Sequence, residues 1–358
     1  MHSPDKKFLI IKLSSLGDVV HTLPVLSTLR KNHPRAFIAW VVEENYKDLL
    51  AHNPNLDEVI PIRTKAWRKN WNVKTLKGIS EVVRRLRQHR FDIALDLQGL
   101  IKSGVIAGLS GAGKKIGFHP QNCRESMNTW FTNHKGPETK PGTHVVDIYL
   151  SLLELVDGCH PPTFGFPLES PPETGLLIDS FFKNHSDLSS KPVIGINPGA
   201  GFETKLWNLD RFASLADRIS DELGCSILLT WGPGEEKMVQ HIGEEMTRKF
   251  WIAPPTTILE SIPLYRKLSL LVSCDSGPLH VCAALGIPTV ALFGPTDPAR
   301  NGPYGSGHEV VSKTLPCSHC WKKTCPLHTR ECMDSISVEE VFERVKKSAA
   351  TNIKVVAS

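Results

Sequence analysis

The chain has 358 residues, a net charge of +5 from 42 Lys and Arg against 37 Asp and Glu, and nine cysteines. An apolar share of 41% with 22% charged residues excludes a disordered or fibrous chain, and no apolar run reaches the roughly 18 residues of a membrane-spanning helix. The length favours two domains, because single hydrophobic cores stop growing well before it.

Residues 1–7 lead, without a small-residue cleavage site, into an apolar run over 8–13 that reads as a buried strand. We therefore expect no signal peptide and a cytoplasmic location. An amphipathic stretch reaching Arg30 follows, then strands over 37–42 and 57–62, a basic helix over 79–88 and a strand over 92–97. Continuous apolar strands alternating with helices predict a parallel sheet covered on both faces. Pro161, Pro162, Pro167, Pro171 and Pro172 mark 157–191 as a connection between domains. The rhythm restarts with a strand over 193–197, a helix over 209–223, strands over 226–231 and 268–273, a helix over 278–285 and a strand over 289–293. A final amphipathic helix over 338–347 is expected to pack back across the first domain. The expected division is 1–165, 190–335 and a C-terminal tail 336–358, with a ligand cleft at the strand carboxyl ends.

The net charge is unevenly placed. Residues 63–90 hold ten basic side chains and one acid, Glu81, so this segment carries +9 and the rest of the chain −4. Such a stripe prefers anions: phosphates, nucleic acid or an acidic membrane surface. Within it Trp67-Arg68-Lys69-Asn70-Trp71 interleaves aromatics with cations, which suits a phospholipid headgroup zone. RNA binding competes, but no recognition-module signature accompanies it.

Several fingerprints fail. Gly108-Leu109-Ser110-Gly111-Ala112-Gly113-Lys114-Lys115 nearly spells a P-loop, but Lys115 stands where a magnesium-holding hydroxyl is needed and the preceding segment reads as helix. The first strand–helix turn, Ser14-Ser15-Leu16-Gly17-Asp18, lacks the dinucleotide-binding glycines. Its small polar residues let backbone approach a ligand, and Asp18 is either a helix-start carboxylate or a general base at a strand end. Asn197-Pro198-Gly199-Ala200-Gly201-Phe202-Glu203-Thr204-Lys205 again follows a strand, offering exposed N–H groups and a mobile cation to a diphosphate, or else a solvated lysine. Cys274-Asp275-Ser276-Gly277-Pro278-Leu279-His280 reads as a capped helix start and hence an anion site. Glu235 and Glu236 end another strand and suit ribose hydroxyls.

Cys317, Cys320, Cys325 and Cys332 lie within sixteen positions, interleaved with His319 and His328. They could hold a structural zinc ion or an iron–sulfur cluster, but the spacing leaves reduced thiols and redox bridges open.

Together these residues resemble glycosyltransferase family 9, the heptosyltransferases. The resemblance rests on Lys12-Leu13-Ser14-Ser15-Leu16-Gly17-Asp18 continuing to Pro24, Trp40-Val41-Val42-Glu43-Glu44, the Trp67–Trp71 segment, Asp96-Leu97-Gln98-Gly99-Leu100-Ile101-Lys102-Ser103, Arg124-Glu125, Lys205-Leu206-Trp207, Asp275–His280 and Gly294-Pro295-Thr296-Asp297-Pro298, in order from about residue 8 to 305. It implies an α/β chain with the GT-B fold, two Rossmann-like domains facing each other across a cleft. It also implies inverting transfer of L-glycero-D-manno-heptose from ADP-heptose to the Kdo of Kdo2-lipid A, with no cofactor or metal required. Asp18 is then the catalytic base. Lys205, Gly199, Ala200, Gly201, Asp275, Ser276, Gly277, His280 and Glu236 (or Glu235, where the match slips by one) meet the donor. Ser15, Gly17, Arg68, Lys69, Gln98, Lys102 and Arg124 meet the acceptor. Peripheral association with the inner membrane is implied, and no nucleic acid partner. Two features depart from the pattern: small residues at 198–201 stand where relatives carry threonine hydroxyls, and the cysteine-rich segment is closer to heptosyltransferases of the following step. A later core acceptor, another nucleotide sugar, or a non-catalytic nucleotide-sugar or RNA binder are the alternatives.

Overall fold

The computed structural model describes residues 6–70, 72–160 and 165–352; Trp71, Pro161, Pro162 and residues 1–5 named above lie outside the described residues. The chain divides into two compact units, 1–169 and 170–358, with the break inside the proline-rich stretch.

The first unit is built on a six-stranded parallel sheet: β1 (Lys7–Ile11), β2 (Phe37–Glu43), β3 (Glu58–Ile62), β4 (Ile93–Asp96), β5 (Lys114–Gly117) and β6 (His134–Lys135), in the spatial order β3-β2-β1-β4-β5-β6. The second sheet has β7 (Val193–Asn197), β8 (Ser226–Leu229), β9 (Phe250–Ile252), β10 (Leu270–Cys274), β11 (Thr289–Phe293) and β12 (His308–Ser312), in the order β12-β11-β10-β7-β8-β9. Numbered from its own first strand, each sheet runs 3-2-1-4-5-6. The order reverses beside the first strand, and the carboxyl ends of β1 with β4, and of β7 with β10, are the places such sheets leave for ligands. The fold is α/β of the GT-B class, with the fully buried central strands Phe8–Ile11 and Val193–Asn197 explaining their unbroken apolar runs.

The helices that matter to function are α1 (Leu16–Val20), α2 (Thr64–Lys69), α3 (Val73–His89), α4 (Ile101–Leu109) and α5 (Val145–Ser151) in the first unit. In the second they are α6 (Leu209–Leu223), α7 (Glu236–Glu245), α8 (Gly277–Ala284) and α9 (Val338–Asn352). The basic helix α3 starts six residues earlier than its apolar pattern suggests. Asn72 caps it by accepting from Thr75 N at 3.0 Å, and Arg90 ends it in the left-handed region. The near P-loop is no strand–loop–helix: α4 runs into it and β5 follows.

The closing helix is built into the second unit. Val341, Phe342, Val345 and Ala349 of α9 share the core of the second unit with Phe212, Leu215 and Ile219 of α6. Burying four apolar side chains there ties the helix to the second unit. Trp207 pins the approach, its indole N–H donating to Ile336 O at 3.0 Å.

Candidate active site

In the first unit the site grows from the end of β1. The strand continues into Lys12, only 2% exposed, and Leu13, whose backbone N–H donates to Gln98 Oε1 at 2.9 Å, as Ser14 N does at 3.2 Å. Gln98 thus braces the turn from the neighbouring strand end, which is a structural use of a residue expected on the acceptor. It is itself held by Asp96, wholly buried, which accepts from Gln98 N, Gly99 N, Ser103 Oγ and Asn128 Nδ2. Burial pushes the Asp96 carboxyl up despite these donors.

Ser15 is the N-cap of α1, and Asp18 is its third residue. Asp18 Oδ2 accepts from both Ser15 N and Ser15 Oγ at 2.9 Å, a capping box that realises the helix-start reading of this carboxylate. The other oxygen does something else. Oδ1 lies 3.4 Å from the ammonium of Lys12 and 3.4 Å from the hydroxyl of Tyr149 on α5. Lys12 also donates to Leu97 O at 2.9 Å and to Tyr149 at 2.5 Å. Burial works to raise the Asp18 pKa, but Lys12 and the two Ser15 donors overcome it and hold the carboxyl below the usual range. Burial likewise works against the Lys12 charge, and Asp18 with Tyr149 reverses it, so the ammonium is held above its ordinary value. Asp18 remains 30% exposed. A half-open, firmly ionised carboxylate at a sheet switch point is equipped to accept a proton from a bound hydroxyl. Gly17 is buried in the same turn, and Ser15 is exposed.

Arg68 and Lys69 are exposed in the last turn of α2, and Arg124 is exposed before a 3-10 turn over Ser126–Phe131. Lys102 on α4 is half-buried, 3.9 Å from Glu43 Oε1, a carboxylate that also accepts from Thr64 Oγ1. Burial lowers the Lys102 pKa, and the cations Lys65 and Arg68 add to the effect against Glu43 and Glu125. Trp67 is half-buried. Its ring packs on the first unit's core and over Gly78, where a Cβ would meet its indole at 3.5 Å.

The second unit repeats the device. After β7, buried Gly199 lies so close to Glu235 that a Cβ there would fall 2.0 Å from the carboxylate. Glu235 Oε2 also accepts from Gly232 N at 2.8 Å, and burial raises its pKa. Glu235, not Glu236, is therefore the carboxylate against the glycine loop. Glu236 is the first residue of α7 and points to solvent with Gln240 3.5 Å away. Ala200 is half-buried and Gly201 exposed in the same loop.

Lys205 reaches across to Asp275 Oδ2 at 2.6 Å and stands 4.5 Å over the Phe202 ring. Asp275, beyond β10, also accepts from Thr296 Oγ1 at 2.7 Å and faces His280 Nε2 at 3.3 Å. Burial opposes its charge, but His280 and Lys205 hold the carboxyl far below its usual range. Ser276, rather than Asp275, occupies the N-cap of α8, its Oγ 2.9 Å from Ser273 Oγ, with Gly277 and Pro278 opening the helix. A lysine, a helix start and a glycine loop at one switch point form an anion site of the kind a diphosphate fills.

The cysteines gather without forming a ligand set. Cys317, Cys320, Cys325 and Cys332 line one small cavity with Thr204, Gly294 and Arg330. Backbone N–H groups of Arg330, Leu327, Thr329 and His328 reach Cys325 and lower its pKa. All nine cysteines are unbridged. Among the described residues no group of three or more His, Cys, Asp and Glu is arranged to hold a metal ion. Lys12, Tyr149, Asp96 and Thr296 are the site groups that sequence reasoning did not assign. Lys12, Asp96 and Thr296 lie inside the motifs named above, the first two at strand ends where a buried charge demands a partner.

Paired Rossmann-like units of one strand order, with a lysine, a helix start and a glycine loop at the second switch point, are an arrangement suited to a nucleotide-sugar ligand. A family model described as glycosyltransferase family 9 (heptosyltransferase) matches residues 79–330. The chain is 30% identical to lipopolysaccharide heptosyltransferase 1 of Pseudomonas aeruginosa over 91% of its length and 89% of that protein. A family 9 glycosyltransferase of Veillonella parvula superposes with a TM-score of 0.84 at 26% identity, covering 98% of this chain and 99% of that one. The heptosyltransferase WaaC of Escherichia coli with ADP gives 0.76 at 25% identity, covering 96% and 100%. The chain belongs to glycosyltransferase family 9.

Proposed function

We propose that this protein is an inverting lipopolysaccharide heptosyltransferase moving L-glycero-D-manno-heptose from ADP-heptose to the Kdo of Kdo2-lipid A, working in the cytoplasm at the inner membrane surface. The observation that carries the reading is Asp18: one oxygen locked by Ser15, the other beside Lys12 and Tyr149, the carboxylate ionised yet still partly open. As the acceptor hydroxyl attacks the anomeric carbon, Asp18 takes its proton. The C–O bond to ADP breaks on the opposite face, and the configuration inverts. ADP departs with a growing negative charge, which Lys205 and the N–H groups opening α8 stabilise. Gly199, Ala200 and Gly201 let backbone approach the diphosphate, Asp275, Ser276, Gly277 and His280 surround it and the heptose, and Glu235 serves the ribose. Arg68, Lys69, Lys102 and Arg124 meet the acidic acceptor.

The name of the Pseudomonas relative and the ADP bound to the Escherichia coli neighbour support the donor and the reaction class. The test is incubation with ADP-heptose and Kdo2-lipid A in the presence of a chelator, read by product mass. One added heptose is the expected result. Addition only to an already heptosylated core would assign the chain to a later step, and no addition to either would count against transfer.

A further inference from the structure

Ten large apolar side chains are exposed among the described residues, and six of them, Val73, Leu76, Ile101, Val105, Met127 and Trp130, come from three elements of the first unit. These are α3, α4 and the 3-10 turn over Ser126–Phe131; α3 packs on α4, and α4 on the turn. The contact between α4 and the turn is tight: a Cβ on Gly104 would meet the Phe131 ring at 2.8 Å. The turn carries Trp130, 76% exposed, and Met127, 47% exposed, and the helix packed on it carries the exposed Ile101 and Val105. On α3 Leu76, Ile79 and Val83 line an open trough together with Arg84, Arg87 and Arg90. Arg87 bridges the two helices by donating to Leu109 O at 3.3 Å.

We propose that this apolar, cation-framed face of α3, α4 and the 126–131 turn docks onto an anionic phospholipid bilayer. The inference rests on the acceptor reading above and supplies the surface that reading lacks. Charge complementarity selects the occupant. On α3 the cations Lys74, Lys77, Arg84, Arg85 and Arg87 outnumber the one acid, Glu81, and only Arg85 among them pairs with a carboxylate, that of Glu58, among the ion pairs of the described residues, so a second copy of the same face is repelled, whereas anionic headgroups are attracted. The apolar side chains stand out from the cations as an amphipathic helix needs for the headgroup–acyl boundary. A nucleic acid would use the cations and leave Trp130, Met127 and Val105 in water. The placement also serves chemistry. Lys102 lies within one turn of Ile101 and Val105, and Arg124 lies just before the turn bearing Met127 and Trp130. Elements that greet the acidic sugar thus carry the side chains that enter the lipid.

The experiment floats the full chain with vesicles of phosphatidylcholine alone or mixed with phosphatidylglycerol. Wild type is expected on the anionic vesicles and scarcely on the neutral ones. Met127→Glu and Trp130→Glu, both at exposed positions, are expected to weaken the partition about tenfold each, while their ADP affinity in solution stays at the wild-type value. Part of the fluorescence blue shift on vesicle binding should disappear in Trp130→Phe. Partition unchanged in both glutamate variants would overturn the proposal, as would self-association without vesicles that either variant abolishes, or retention on RNA at a salt concentration that releases the vesicles. Vesicle binding needs neither donor nor transfer. Failed transfer with intact, Trp130-dependent vesicle binding would therefore count against the proposed function alone.

Discussion

The ammonium of Lys12 and the carboxylate of Asp18 stand 3.4 Å apart at the end of β1, and the Tyr149 hydroxyl touches both. Lys12 is buried and Asp18 half-open, so the cation cannot leave for solvent while the carboxylate can still meet a substrate. Two functions share one side chain: Oδ2 caps α1, and Oδ1 faces the charge pair.

Removing that cation should move the pH profile. Asp18 titrates below its ordinary range because of Lys12 and Ser15, so it is ionised at neutral pH. The pair's contribution to stability is complete above the ordinary carboxylate pKa and fades as pH falls through the lowered one. In Lys12→Met, burial dominates and the acid limb of kcat/KM shifts to higher pH. Lys12→Arg should restore part of the shift, and Tyr149→Phe should show a smaller one. Tyr46, whose own pKa rises through burial, Glu43 and Asp18, is the further titrating group facing the carboxylate. An acid limb fixed in all three variants, with only the donor KM altered, would contradict this assignment.

Asp275 is expected to matter to folding as well as to donor binding. Lys205, Thr296 and His280 converge on it, and its side chain is 8% exposed. Asp275→Ala takes the carboxylate partner from Lys205, whose side chain is 14% exposed, at a cost of roughly 3 kcal/mol, measurable by urea unfolding of the full chain. Because its pKa is depressed, the contribution is present above the ordinary carboxylate range and fades as pH falls through the lowered value. Asp275→Asn should lose less stability while still weakening ADP.

Gly199→Ala separates binding from stability. The new methyl group collides with the end of the Glu235 side chain, a flexible group that moves aside at small cost to the fold. Displacing that carboxylate should raise the ADP-heptose KM several-fold with a change in unfolding free energy of about 1 kcal/mol or less. Equal unfolding curves and equal KM values would show that Glu235 does not serve the donor.

Arg68→Glu with Lys69→Glu reverses exposed charges on α2, which surface substitution tolerates. The acceptor KM is expected to rise at least about tenfold, the donor KM to stay within about twofold, since each cation near an anionic partner contributes about 1 kcal/mol. Equal effects on both substrates would remove these residues from the acceptor face.

Much of this organisation was legible in the sequence, for reasons that particular residues make plain. The central strands announce themselves because runs such as Phe8–Ile11 are buried on both faces and carry no polar residue. The edges do not: β5 begins Lys114-Lys115, β6 has two residues, and β12 mixes His308, Glu309 and Ser312 with valines. Asp18, Lys205 and Asp275 could be found because glycines and small polar residues mark the loops at strand ends. Their partners could not. Tyr149 lies 131 residues from Asp18, and Thr296 meets Asp275 only through the turn after β11. The role of Trp67 was not legible, because aromatics among cations suit a lipid surface and a packed helix equally well. In the structure Trp67 is half-buried and turned onto the first unit's core.

The central claim is that Asp18 takes the acceptor's proton. The most direct test is the rate of heptose transfer by Asp18→Asn under saturating ADP-heptose, with ADP affinity measured alongside. Asparagine keeps an acceptor for the Ser15 donors, so α1 should stay capped. A fall in rate of about 10³-fold with unchanged ADP affinity is the expected result, and transfer at the wild-type rate would contradict it.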